Sequence, residues 1–147
     1  MPTTTSNDEL PGVLFLCVRN KGKSQMAAAL ARLRGKGVIR AYSAGTHPGD
    51  AINQASAESV AELGADMSGE TPQGVTPELL GKVGLVVAIG GEVDTTALEE
   101  GGVPVERWVT DEPSLRGIEG LERMRIIRDD IDARVRELVE SYRSRGA

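Results

Sequence analysis

Residues 13–34, VLFLCVRNKGKSQMAAALARLR, constrain the fold more than any other stretch of the chain. Four apolar residues give way to a polar, glycine-bearing octet, CVRNKGKS. A run of Gln, Met, Ala, Leu and Arg follows, which favours helix and stops at Gly35. The order predicted is a strand over residues 13–16, a tight loop, and a helix over residues 24–34.

Leu85, Val86, Val87, Ala88 and Ile89 form an unbroken apolar run that ends at Gly90-Gly91, the pattern of a parallel strand buried on both faces. Between the two runs the pattern predicts a strand over residues 38–44 and a helix over residues 53–63 carrying Ala55, Val60 and Leu63. A short helix within residues 74–82 has Pro77 in its first turn. A helix over residues 95–99 and a strand over residues 106–109 come next. The last element is the clearest, because Leu121, Met124, Ile127, Ile131, Val135, Leu138 and Tyr142 recur at three- and four-residue steps; that stripe reads as core packing. The prediction is an α/β chain with an open, mostly parallel four-stranded sheet and helices on both faces. At 147 residues it is read as a single domain over residues 12–147, with residues 1–11 as a disordered tail.

Ligands in such sheets bind beyond the carboxyl ends of the strands, which directs attention to the loop after the first strand. Charge points the same way. No acidic residue falls between Leu10 and Gly49, where Arg19, Lys21, Lys23, Arg32, Arg34, Lys36 and Arg40 give +7 and leave −12 for the rest of a chain of net charge −5. One end of an acidic protein is thus arranged to attract a small anion, although the Arg32 to Arg40 group also suits a plain solvated face. The overall acidity argues against nucleic acid as a partner. Cys17 is the only cysteine, which excludes an internal disulfide or a thiolate-built zinc site and fits a reducing, cytoplasmic location. No apolar stretch approaches the ~18 residues of a membrane span, so no membrane association is expected. No histidine and carboxylate spacing suggests a metal site. His47, the only histidine, lies in the turn sequence THPGD, and Trp108 reads as a packing residue.

The octet CVRNKGKS matches a nucleotide-binding loop at every fixed position but the first, where Cys17 stands for glycine. A nucleotidase also needs a strand ending in aspartate for its Mg²⁺ shell, and LVVAIGG ends in glycine. The same residues fit C-x5-[R/K]-S, a cysteine at a strand end followed by a loop that curls round an oxyanion. Val18, Arg19, Asn20, Lys21, Gly22, Lys23 and Ser24 would supply that loop, with backbone N–H groups and a helix N-terminus facing the anion. The helix N-terminus, Lys23 and the Ser24 hydroxyl would all favour a Cys17 thiolate. The competing reading is an inert core cysteine, which leaves the polar, basic loop unexplained.

With CVRNKGKSQMA, the YSAGT of residues 42–46 and the WVTDEPS of residues 108–114, the chain resembles the low-molecular-weight protein tyrosine phosphatase fold family, including its arsenate reductase branch. The likeness runs from Gly12 to Tyr142. It implies that Cys17 is the nucleophile, that Ser24 supports its thiolate, and that Asn20 bonds to Ser43 to hold the loop. It further implies that Glu112, or Asp111 beside it, is the general acid, the family having an Asp before the proline.

Three departures orient the reading within the family. The loop arginine is Lys23, a point charge without the bidentate fork that suits a phosphoryl group. Ser114-Leu115 follow the proline where the tyrosine phosphatases carry aromatics, and aromatic residues make up only 3% of the chain. The cysteine relay of thioredoxin-coupled arsenate reductases is missing, its first member being matched by Gly90. The resemblance is therefore nearest to arsenate reductases that use an external thiol. Mycothiol would be the co-substrate and mycoredoxin the partner, with no bound cofactor. A low-molecular-weight phosphatase with a phosphocysteine intermediate and a non-enzymatic oxyanion-binding protein are the alternatives.

Overall fold

The computed structural model describes residues 10–145. Four parallel strands, β1 (Gly12–Cys17), β2 (Arg40–Gly45), β3 (Leu85–Ile89) and β4 (Val105–Trp108), form one sheet in the order β2-β1-β3-β4. The helices are α1 (Lys23–Arg34), α2 (Gln54–Ala61), α3 (Pro77–Leu80), α4 (Thr96–Glu100) and α5 (Gly120–Arg145), with a 3-10 turn at Pro113–Arg116. This is the single-domain, parallel four-stranded α/β fold expected from the sequence.

Side chains alternate across β1 with the two-residue period of a strand, and both sets are buried. Val13 and Phe15 face one layer, where they meet Met26 and Leu30 of α1 and Ile127, Ile131 and Val135 of α5. Leu14 and Leu16 face the other, against Leu79 of α3, Val93, and Val86 and Ala88 of β3. Each fully buried aliphatic or aromatic side chain in these layers stabilises the fold by about 1.5–3 kcal/mol. Helix α1 is buried from Ser24 through Ala31 because it is wedged between the sheet, α2 and α5. Its alanines allow that close approach. At its far end Arg34 forks onto Asp132 of α5, with Nε–Oδ1 at 2.9 Å and Nη2–Oδ2 at 3.1 Å.

Several boundaries differ from those expected. Strand β2 starts two residues late because Gly37, at φ +77°, makes a turn from which Ile39 already packs into the core. Strand β4 lies one residue early, its ends set by the register Val86↔Val105 and Ile89↔Trp108. Helix α5 runs three residues past Tyr142. Residues 1–9 of the expected tail lie outside the described residues, but Leu10 and Pro11 belong to the fold. Leu10 is buried, and both carbonyls accept hydrogen bonds from Arg40: the side-chain Nε to Leu10 at 2.9 Å and the backbone N–H to Pro11 at 2.8 Å. Among the described residues no helix is long and apolar enough to cross a membrane.

Candidate active site

Cys17 ends β1, and the chain then curls through residues 18–22 into the N-terminus of α1. Carbonyls turn outward along this loop. Those of Cys17, Val18, Arg19 and Lys21 accept from the N–H groups of Thr46, His47, Gly49 and Asn53 at 2.7–3.0 Å. The amides of Val18, Arg19, Lys21, Gly22, Lys23 and Ser24 donate to no protein acceptor among the described residues, and α1 has no side-chain cap. A loop whose carbonyls are tied outward, leading into an uncapped helix, leaves a set of inward N–H donors for an anion. Gly45 makes room for it: a Cβ there would lie 2.6 Å from the Val18 carbonyl oxygen and 2.9 Å from the Asn20 nitrogen.

The Cys17 sulfur, on a residue 9% exposed, receives the Asn20 backbone N–H at 3.1 Å and lies 2.9 Å from the Ser24 hydroxyl. The direction of the second contact follows from its surroundings. The backbone N–H of Gln73 donates to Asn20 Oδ1 at 2.9 Å, which identifies that atom as oxygen, so Asn20 Nδ2 donates to Ser24 Oγ at 2.8 Å. With Oγ accepting from Asn20, the serine's own hydrogen is free to point at sulfur. Cys17 Sγ is then an acceptor twice over, the arrangement that suits a thiolate. Asn20 adopts φ +56°, a left-handed conformation that asparagine tolerates better than most residues.

The expected bond between Asn20 and Ser43 is replaced by a bridge. Gln73 spans the gap, donating from its backbone to Asn20 and from Nε2 to the Ser43 carbonyl at 2.8 Å. Ser43 is buried in β2 with its side chain outside this network. Gln25 adds a second support, its Nε2 donating to Asn20 Oδ1 at 3.1 Å. Neither glutamine was legible as a site residue, since Gln73 lies 53 positions from Asn20 in a stretch without regular structure.

A family model described as "Low molecular weight phosphotyrosine protein phosphatase" matches residues 12–145, the whole of this architecture. The chain belongs to that family. A Halobacterium salinarum protein named "Putative arsenate reductase" is 35% identical over 133 residues, covering 87% of this chain and 90% of its own. The arsenate reductase of Bacillus subtilis is 28% identical over 135 residues, covering 88% and 95%. Among solved structures, an arsenate reductase in the phosphate binding state superposes with a TM-score of 0.77 at 25% identity, covering 90% of this chain and 99% of its own. A thioredoxin-dependent arsenate reductase from Corynebacterium glutamicum does so at 0.71 and 27%, covering 92% and 63%.

In the acidic segment after β4 both expected acids are ion-paired. Glu112 is gripped by Arg123 of α5, which donates from Nε and Nη2 at 2.8 Å each, while Ser114 donates from its hydroxyl at 2.7 Å and its backbone at 3.2 Å. Arg123, more than any other group, holds the Glu112 carboxyl down at about 2. Asp111 is likewise held below the ordinary range by Arg116, whose Nη1 and Nη2 donate at 2.8 and 2.9 Å. Both expected general acids thus stand as carboxylates paired to arginines. The sequence offered no sign of this, because Arg123 is 11 residues away on the charged side of a helix.

Of the other expected residues, Lys23 reaches from the first turn of α1 to within 4.0 Å of Glu112 Oε1, so a cation lies between the loop and the acidic segment. Lys21 turns outward to Asp50 at 3.4 Å, and Arg19 is exposed at the rim. His47 serves the loop through its backbone, and its exposed ring lies with Nδ1 3.3 Å from the Thr46 hydroxyl. Trp108 is buried against Phe15, with ring centroids 5.7 Å apart, and is a packing residue. Among the described residues no three His, Cys, Asp or Glu side chains gather as a metal ion would require.

Proposed function

We propose that this chain is an arsenate reductase in which Cys17 forms the arsenic adduct and an external thiol, mycothiol, resolves it with a mycoredoxin. The observation that carries the reading is a doubly hydrogen-bonded Cys17 sulfur inside a ring of unpaired amides, on a chain with no other cysteine. The names of the relatives support the oxyanion. The single cysteine supports the external thiol, since no second sulfur can close an internal disulfide.

Arsenate is held by the amides of Val18, Arg19, Lys21, Gly22, Lys23 and Ser24 and by the Lys23 side chain. The thiolate attacks arsenic, an S–As bond forms, and an As–O bond breaks with its oxygen leaving as water. Mycothiol thiolate then attacks arsenic, displacing the Cys17 thiolate and carrying the arsenate group away as a thiol conjugate. No electrons have moved at this stage. The mycoredoxin thiolate attacks the sulfur of that conjugate, so that two thiols are oxidised to a mixed disulfide while arsenic(V) is reduced to arsenite.

The test is arsenate-dependent thiol consumption with mycothiol plus mycoredoxin, run beside thioredoxin and beside p-nitrophenyl phosphate. Turnover with mycothiol and mycoredoxin alone is the expected result. Turnover with thioredoxin alone would overturn the choice of thiol. Phosphate ester turnover without arsenate reduction would overturn the choice of reaction.

A further inference from the structure

We propose that Arg123 is a positioning residue that sets specificity, keeping Glu112 from acting as a proton donor so that the loop reacts with an inorganic oxyanion and not with phosphate esters of basic leaving groups. The inference rests on the arsenate reading above and deepens it. Its basis is geometric. The two Arg123 nitrogens take both carboxylate oxygens of Glu112 at 2.8 Å, and Ser114 takes Oε2 again. No other described carboxylate sits beside Lys23. The remaining charged groups keep Glu112 in the same state. Lys23 faces it from α1 at 4.0 Å, Asp111 stands beside it with its own charge taken by Arg116, and Glu119 acts on Arg123 from the segment before α5.

The proton balance of the two reactions explains why this selects a substrate. When the Cys17 thiolate attacks the arsenate monoanion, the S–As bond forms and one As–O bond breaks. The two protons that the monoanion carries leave together on the departing oxygen as water, and the adduct keeps two negative charges, so no protein acid is needed. When the thiolate attacks a phosphate monoester dianion, the S–P bond forms and the ester P–O bond breaks. The products are a phosphocysteine dianion and an alkoxide or phenoxide, which needs a proton that the substrate does not hold. Neither step changes an oxidation state. A site with an ionised Glu112 therefore handles arsenate while discriminating against esters with basic leaving groups.

The experiment compares phenyl phosphate with 2,4-dinitrophenyl phosphate, whose leaving group needs no proton, in the full chain at about pH 6.5, where the phenyl ester is mainly the dianion and arsenate mainly the monoanion. The native protein is expected to phosphorylate Cys17 from the dinitrophenyl ester and to be strongly biased against the phenyl ester. Arg123→Gln is expected to raise phenyl phosphate kcat/KM relative to the dinitrophenyl ester about tenfold, as a freed glutamic acid in partial protonation would. Arg123→Gln with Glu112→Gln should lose that gain. A native protein with little leaving-group bias, no burst with the dinitrophenyl ester, or an unchanged bias in Arg123→Gln would each overturn the proposal. The native measurements decide even if the variants fail to fold. Failure of arsenate reduction with mycothiol and mycoredoxin is a separate outcome that strikes the reading beneath.

Discussion

Asn20 is the residue on which the loop's geometry turns, and replacing it by glycine and by alanine separates its two contributions. Its side chain accepts from the Gln73 N–H, accepts from Gln25 and directs the Ser24 hydroxyl, at 2.9, 3.1 and 2.8 Å. Removing it forfeits these hydrogen bonds around a fully buried side chain, at a cost of about 1–3 kcal/mol. Both variants lose that much. The backbone at φ +56° adds a second effect. Alanine in the left-handed region costs about 1–2 kcal/mol. Glycine avoids this but concedes about 0.4–1 kcal/mol through its freer unfolded chain. At the middle of those ranges Asn20→Gly should be more stable than Asn20→Ala by about 1 kcal/mol, while both fall below the native protein. Urea unfolding reads the stabilities, and the iodoacetamide rate at Cys17 reads the chemistry. The rate should drop in Asn20→Gly, because an undirected Ser24 no longer holds its hydrogen on the sulfur. Equal stabilities would refute the strained backbone. An unchanged alkylation rate in Asn20→Gly would refute the relay from Gln73 through Asn20 to Ser24.

Gly45→Ala should impair phosphate protection of Cys17 by at least about tenfold, since the new Cβ meets loop backbone at 2.6 Å and the loop must move; isothermal titration with phosphate checks it. Gln73→Ala keeps the backbone donor to Asn20 but loses the bond to Ser43, so it should cost about 1 kcal/mol in urea and leave Cys17 alkylation within about twofold of native. Glu112 has its carboxyl lowered to about 2 from 4.5, so its pairing stabilises the fold above the ordinary carboxylate range and is lost as pH falls toward 2. Glu112→Gln should then be less stable than native by about 1 kcal/mol at pH 7, allowing for solvent screening, with the gap closing toward pH 2; urea midpoints across that range show whether it does.

The strand-loop-helix opening, the buried run of β3 and the long stripe of α5 were legible because each depends on local pattern and on burial on one or two faces. So was the approach of Ser24 to Cys17, since a strand end and the first turn of a helix, seven residues apart, converge across a tight loop. What holds that loop was not legible. Gln73 links Asn20 to Ser43 and Gln25 reaches Asn20 and the Thr71 carbonyl, and no periodicity marks such a partner in a sequence. Glu112 shows the same limit in electrostatic form. Its place before Pro113 was visible, but its protonation is set by Arg123 on α5, and only the packing of α5 against the 3-10 turn brings the two together.

Alkylation of Cys17 at neutral pH, followed by mass spectrometry with and without arsenate or phosphate, bears most directly on the central claim. A reaction well above that of a simple thiol and saturably suppressed by either oxyanion is the predicted result. A rate no greater than that of a simple thiol, untouched by either anion, would contradict it.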